Sequence, residues 1–348
     1  MRKSVKIAAG VLAALLAAGA ALAVFFLKSS SEEDVAGRIF LYGERHADET
    51  FLEEEFALWS NFYHEEGMRH LFIEKPYYTA EFLNLWMDAD SDEIFNQLYA
   101  EWDGTPAHSE LVRSFYKRIK EECPETVFHG TDIGHQYNTI GARYLDYLEE
   151  NGMEGSEEYA LAQEAIEQGV EYYRQRDEVY RENRMAENFI REYEELDGAP
   201  VMGIYGLNHT DPDAMNYTGK VPSMASQIAE RYGDRLEILD YQPERVDTLE
   251  VGGKSYTAEY FGEQDLSGHS TEYRCREFWR LKDAYEDFRD CETTIDRLPV
   301  SQYPMRVQTG QVFVIDYTRT DGSVERLYYR ADGEEQDGMV LTTNFLPD

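Results

Sequence analysis

The sequence predicts an α/β fold: a mostly parallel β-sheet flanked by helices, with a small C-terminal α+β appendage and an N-terminal transmembrane helix. Three observations predict it. From about residue 37 to 245, short apolar runs alternate with amphipathic stretches, the pattern of a parallel sheet with helices on its faces. Two of the runs share one shape, an apolar stretch that breaks into Gly-x-x-His: Ile39-Phe40-Leu41-Tyr42-Gly43-Glu44-Arg45-His46 and Val201-Met202-Gly203-Ile204-Tyr205-Gly206-Leu207-Asn208-His209. From about residue 246 the texture changes to segments that alternate like strands. The expected organisation is an anchor over 1–30, an α/β domain over 35–245 and the appendage over 246–348.

The elements follow in order. Arg2, Lys3 and Lys6 precede an uncharged apolar stretch over 7–27, and Lys28 and polar residues follow. Roughly twenty apolar residues span a bilayer as a helix, and the basic leader keeps the N-terminus cytoplasmic. The competing reading is a signal peptide cleaved at Ala21-Leu22-Ala23, which leaves Val24-Phe25-Phe26-Leu27 exposed. No Cys follows the run, which excludes a lipid-anchored form. The expectation is a single-pass protein of the cell membrane with its globular part extracytoplasmic.

Strands are expected at 39–42, 70–73, 126–128, 201–205 and 236–239. Asp48 can cap a helix in which Phe51, Leu52, Phe56, Trp59, Phe62 and Tyr63 recur at helical spacing. A helix capped near Thr79 carries Phe82, Leu83, Trp86 and Met87 on its apolar face, and 111–123 reads as another. A charged helical region covers 136–196 with a break at Asn151-Gly152, and 226–232 is helical. In the appendage, 256–261 and 312–317 read as strands. Asp321-Gly322 marks a hairpin between 314–317 and 324–329, and 277–288 reads as a short amphipathic helix.

Acidic residues outnumber basic ones 69 to 33, for a net charge of −36. Nucleic acid and anionic membrane surfaces are repelled by such a chain. At 42% hydrophobic and 14% aromatic the chain still builds a core. Cys123, Cys275 and Cys291 form neither a disulfide scaffold nor a zinc-finger spacing, although Cys275 and Cys291 can pair in an oxidising compartment. His269 is lone and reads as structural.

Chemistry concentrates at the strand ends. Glu44 and His46 follow the first strand, Glu74 ends the second, Asp132 the third with His135 three residues on, and His209 follows the fourth. Open α/β sheets bind ligands at the carboxyl ends of their strands. The set fits two chemistries. In one, His46, Glu74, Asp132 and His209 bind a divalent metal ion that acidifies a water and polarises a carbonyl. In the other, a carboxylate-oriented His is the general base and a second His or an Arg stabilises the oxyanion. Arg181 and Arg184 precede the fourth strand on a charged helix; Arg184 is the candidate catalytic arginine beside Glu44, His46, Glu74 and His209.

Leu41-Tyr42-Gly43-Glu44-Arg45-His46, Ile73-Glu74, Arg184-Met185-Ala186 and Gly206-Leu207-Asn208-His209, in that order, resemble the superfamily that joins TraB/Tiki-type membrane-anchored metalloproteases, ChaN-type haem-binding lipoproteins and erythromycin esterases. The resemblance covers roughly 38–240. The Tiki-type branch implies metal-dependent peptide hydrolysis with His46, His209 and Glu74 near the metal. The esterase branch implies metal-independent ester hydrolysis with His46 as base, supported by Glu44 and Glu74. The ChaN branch implies haem binding. The expectation is a membrane-anchored hydrolase of an amide or ester bond acting on a peptide or small-molecule ester, with metal assistance; the alternatives are haem or iron-ligand binding and a metal-independent esterase with His46 as general base.

Overall fold

The computed structural model describes residues 36–268, 270–336 and 339–347. The expected anchor and His269 lie outside these residues. Among the described residues no helix is long and apolar enough to cross a membrane.

Five strands form an all-parallel sheet in the order β3-β2-β4-β1-β5: β1 (Ile39–Glu44), β2 (His70–Pro76), β3 (Val127–Asp132), β4 (Val201–Gly206) and β5 (Leu236–Leu239). Both faces are covered, which is why β1 is apolar almost throughout and buried at every position. Phe40 and Tyr42 enter one apolar cluster with Phe51 and Trp59 of α1 (Glu49–Glu65). Ile39 and Leu41 enter the opposite one with Met185 and Phe189 of α7 (Glu178–Glu194) and Ile228 of α8 (Met224–Tyr232).

Between these helices lie α2 (Tyr77–Met87), α3 (Glu93–Glu101), α4 (Glu110–Glu122), α5 (Ala142–Glu150) and α6 (Glu157–Gln175). Asp48 caps α1 by accepting from the Thr50 amide at 3.0 Å. The helix expected to be capped near Thr79 instead starts at Tyr77 behind Pro76, whose ring supplies a helix-compatible φ. Thr79 is buried inside it.

The C-terminal part departs from expectation. It is a seven-stranded antiparallel sheet, order β6-β7-β8-β10-β11-β12-β9, with a single-turn helix α9 (Tyr285–Phe288). Its strands are β6 (Arg245–Val251), β7 (Lys254–Asp265), β8 (Tyr273–Leu281), β9 (Thr293–Pro299), β10 (Val312–Arg319), β11 (Val324–Gln336) and β12 (Met339–Phe345). Of the helix expected over 277–288 only the last turn, Tyr285–Phe288, is helical, and 277–281 belong to strand β8. Cys275, Arg276, Phe278, Trp279 and Leu281 are buried on both faces of β8, so period-two alternation is absent and the apolar spacing imitates a helix. The two sheets share one apolar cluster, bridged by Tyr241, which stacks on Phe51 at 4.5 Å and meets Phe261 at 6.1 Å. Cys123, Cys275 and Cys291 are all free thiols.

Candidate functional site

Parallel register brings the strand ends together. Gly43 lies opposite Tyr205 and Glu44 opposite Gly206, so the two Gly-x-x-His turns run side by side. Gly43 is required by closeness: a Cβ there would stand 2.4 Å from Thr210 Oγ1 and 2.8 Å from Leu207 Cδ2, both in the turn that carries His209.

Glu74 is the hub. Its Oε2 accepts the Gly206 amide at 2.7 Å and its Oε1 accepts Arg181 Nη2 at 2.6 Å. His46 Nε2 and His209 Nε2 both face Oε1 at 3.8 Å. Arg181 also grips Asp132 with two bonds, Nε to Oδ1 at 3.0 Å and Nη2 to Oδ2 at 2.7 Å. Asp132 Oδ2 further holds His135 Nε2 at 3.0 Å, and His135 Nδ1 lies 2.7 Å from the Tyr173 hydroxyl. His46 Nδ1 is bonded to Glu44 Oε1. Glu182 places His209: its Oε2 meets His209 Nδ1 at 2.8 Å while Oε1 accepts the Met224 amide, at the start of α8, at 2.6 Å.

These contacts set the charges. The bond to Glu44 raises the His46 pKa to about 9, against the opposing effect of burial and with help from Glu74. Burial pushes Glu74 up, but His209, Arg181 and His46 outweigh it and hold the carboxyl down at about 2. Burial likewise opposes ionisation of Asp132, and Arg181 and His135 hold it well below the usual carboxylate range. His209 is pushed down by burial and raised on balance by Glu74 and Glu182.

The cluster opens into a cavity of about 330 Å³. Glu44, His46, Glu74, Asp132, His135 and Arg181 line its charged end, and Trp102, Val112, Phe115 and Tyr116 form an apolar wall. Glu55 also lines it, with its Oε1 buried and without a hydrogen-bond partner among the described residues. His46 is the open imidazole, its side chain 53% exposed. His209 does not line the cavity; it is buried behind Glu74.

The structure thus gathers Glu44, His46, Glu74, Asp132 and His209, and it leaves Arg184 out. Arg184 pairs with Glu187 at 2.8 Å and lies over Tyr180. At about 100° per residue, Arg184 sits on the far side of Arg181 from the buried stripe of Met185, Ala186 and Phe189. Arg181 is the arginine that reaches the site.

Of the four residues expected around a metal, Asp132 has both oxygens engaged by Arg181, and His209, held through Nδ1 by Glu182, turns Nε2 toward Glu74 at 3.8 Å. A guanidinium already stands between Asp132 and Glu74. The donors that do come together are Glu44, His46 and Glu74, whose ligand atoms lie within 4.8 Å of one another.

Glu182 and Glu55 escaped sequence reading, although a signal existed. Each is a charged residue on the apolar stripe of its helix, Glu182 in step with Met185, Ala186 and Phe189, and Glu55 in step with Phe51, Trp59 and Phe62.

No family model matches the chain, and no curated protein matches it. Three solved structures are similar at low identity. An erythromycin esterase mutant in its open conformation is 10% identical, covering 71% of this chain and 83% of its own, with a TM-score of 0.45. A succinoglycan biosynthesis protein is 13% identical over 71% and 78%, TM-score 0.44. A Bacillus cereus protein is 14% identical over 60% and 69%, TM-score 0.39. Scores this low establish no common function.

Proposed function

We propose that this chain is a hydrolase of an amide or ester bond, tethered to the outer side of a membrane through residues 1–30. The observation that carries the chemistry is the His46 imidazole, open to the cavity, bonded to Glu44 and facing Glu74. Those two carboxylates favour its charged form at neutral pH. His46 is therefore assigned as the acid that protonates the leaving group and helps hold the oxyanion, a different role from the base implied by the esterase resemblance. Arg181 adds a fixed positive charge, and its Nη1 makes no protein hydrogen bond among the described residues. Glu74 orients both cations, and the aromatic wall takes an apolar part of the substrate.

The test is hydrolysis of p-nitrophenyl acetate and an acyl p-nitroanilide by the full chain in detergent. His46→Ala and Arg181→Met are each expected to lower kcat/KM about 10²-fold or more. Equal activity in both variants and the wild type overturns the reading. For the tether, protease added to intact cells is expected to digest the globular part, and full protection overturns it.

A second reading is favoured by the convergence of Glu44, His46 and Glu74. These three would hold a divalent ion, which when bound would polarise the carbonyl. Calorimetric titration with Zn²⁺ or Mn²⁺ tests it: binding lost in Glu44→Gln supports this reading, and no binding removes it.

A further inference from the structure

The hydrolase reading gives the leaving group its proton but leaves the attacking water without an acceptor. In the same charged end of the cavity stands a second imidazole–carboxylate pair. Asp132 is held ionised by Arg181, and an ionised carboxylate only accepts, so His135 Nε2 carries the proton of their 3.0 Å bond. In the neutral ring Nδ1 is then a lone pair, and the Tyr173 hydroxyl donates to it at 2.7 Å. Hydroxyl, imidazole and carboxylate stand in the order of a group to be deprotonated, its base and the base's orienter. Tyr173 and His135 both line the cavity.

The fold builds this arm at close quarters. A Cβ on Gly169 would stand 2.1 Å from the Gly134 carbonyl oxygen, and one on Gly134 would stand 2.1 Å from the Ala165 carbonyl oxygen. Backbone-to-backbone contact of this kind seats α6 directly on the loop that leaves β3. Tyr173 lies one helical turn beyond Gly169, which carries its ring over His135, the neighbour of Gly134. Tyr78 Oη donates to the His135 carbonyl at 2.5 Å, and Gln136 turns the chain with φ of 51°. The groups facing the His135 ring are Asp132 from β3, Tyr172 and Tyr173 from α6 and, through Asp132, Arg181 from α7, while Arg176 lies over the Tyr173 ring at 4.4 Å.

We propose that Tyr173 and His135 are the proton-accepting arm of this site, Tyr173 taking a proton from the attacking water as it passes its own to His135. The water oxygen bonds to the carbonyl carbon. The bond to the leaving oxygen or nitrogen breaks, and its electron pair takes the proton of His46. The water proton ends on His135, whose charge Asp132 balances. Solvent then returns one proton to His46 and removes one from His135, so the cycle closes with one water consumed.

The arm rests on the hydrolase reading, and one experiment separates the two. The full chain in detergent is assayed on p-nitrophenyl acetate across the neutral pH range, with Tyr173→Phe, His135→Gln and His46→Ala, and folding is checked by circular dichroism. Tyr173→Phe and His135→Gln are each expected to lose about 10²-fold in kcat/KM at neutral pH. Their remaining rate should climb about tenfold per pH unit, as hydroxide replaces the missing acceptor, where the wild type does not. Wild-type hydrolysis that His46→Ala abolishes but Tyr173→Phe leaves unchanged overturns the arm alone. A uniform loss in Tyr173→Phe and His135→Gln with an unaltered pH profile marks a structural role and also overturns it. Absence of hydrolysis in the wild type overturns the hydrolase reading and the arm with it.

Discussion

Arg181 Nη2 lies 2.6 Å from Glu74 Oε1, and the same nitrogen lies 2.7 Å from Asp132 Oδ2. One guanidinium therefore joins the ends of β2 and β3, where one of the two chemistries read from the sequence puts a metal. Removing it takes from two buried carboxylates the one fixed cation they share. Arg181→Met is expected to destabilise the fold by about 3–5 kcal/mol, the usual cost of breaking a buried ion pair from one side. Arg181→Lys keeps the charge but not the fork that grips Asp132 at two points, and should fall between the two. Urea unfolding at neutral pH measures both; a fully stable Arg181→Met protein would contradict this arrangement.

His46 gives the site an alkaline limit. Its pKa is raised from 6.5 to about 9, chiefly by the bond to Glu44. A group raised on folding contributes stability that is fully present below its unfolded pKa and is lost as pH rises through the folded one. The contribution here is complete below 6.5 and fades through about 9. Activity that needs the imidazolium should decline over the same upper limb. Following the ring Cε1 proton by NMR should give a midpoint near that value. Glu44→Gln removes the first cause and should return the midpoint toward 6.5.

Glu74 shows the opposite sign. Its folded pKa is about 2 against an ordinary 4.5, because His209, Arg181 and His46 together outweigh burial. Stability from this carboxylate is present above 4.5 and is lost as pH falls through about 2. Glu74→Gln retains an acceptor for the Gly206 amide but no charge for its three cationic neighbours. The difference from wild type should be about 3 kcal/mol at neutral pH and should shrink on acidification. Denaturant titrations at neutral and acid pH test both the size and the direction.

Much of this arrangement was legible because strand ends are local signals. Apolar runs that stop at Gly43, Glu74, Asp132 and Gly206 mark where a parallel sheet turns outward, and parallel pairing puts all such ends on one edge. Partner choice was not legible. Arg181 and Arg184 have the same chemistry one turn apart, and only the packing of Met185 and Phe189 decides which meets Asp132. Strand β8 was hidden because both its faces are buried, Trp279 in one cluster and Phe278 in another. Helix α3 was passed over as well, although Phe95 and Leu98 are fully buried.

The closeness of the two Gly-x-x-His turns supplies the last prediction. In Gly43→Ala the new Cβ would meet Thr210 Oγ1 at 2.4 Å and Leu207 Cδ2 at 2.8 Å. The turn over 207–210 must then move, at a cost of about 1–3 kcal/mol for overpacking. Thr210→Ala alone should cost about 1 kcal/mol, since its hydroxyl donates to the Leu207 carbonyl at 3.2 Å. Combined, the two changes should cost less than their sum by at least about 0.5 kcal/mol, because the alanine removes the nearer obstacle. Recovery stays partial, as Leu207 still crowds the site. Glu44 adjoins Gly43 and His209 lies between Leu207 and Thr210, so the single Gly43→Ala change should also lower kcat/KM. Strict additivity of the two substitutions in a double-mutant cycle would show that these turns do not touch.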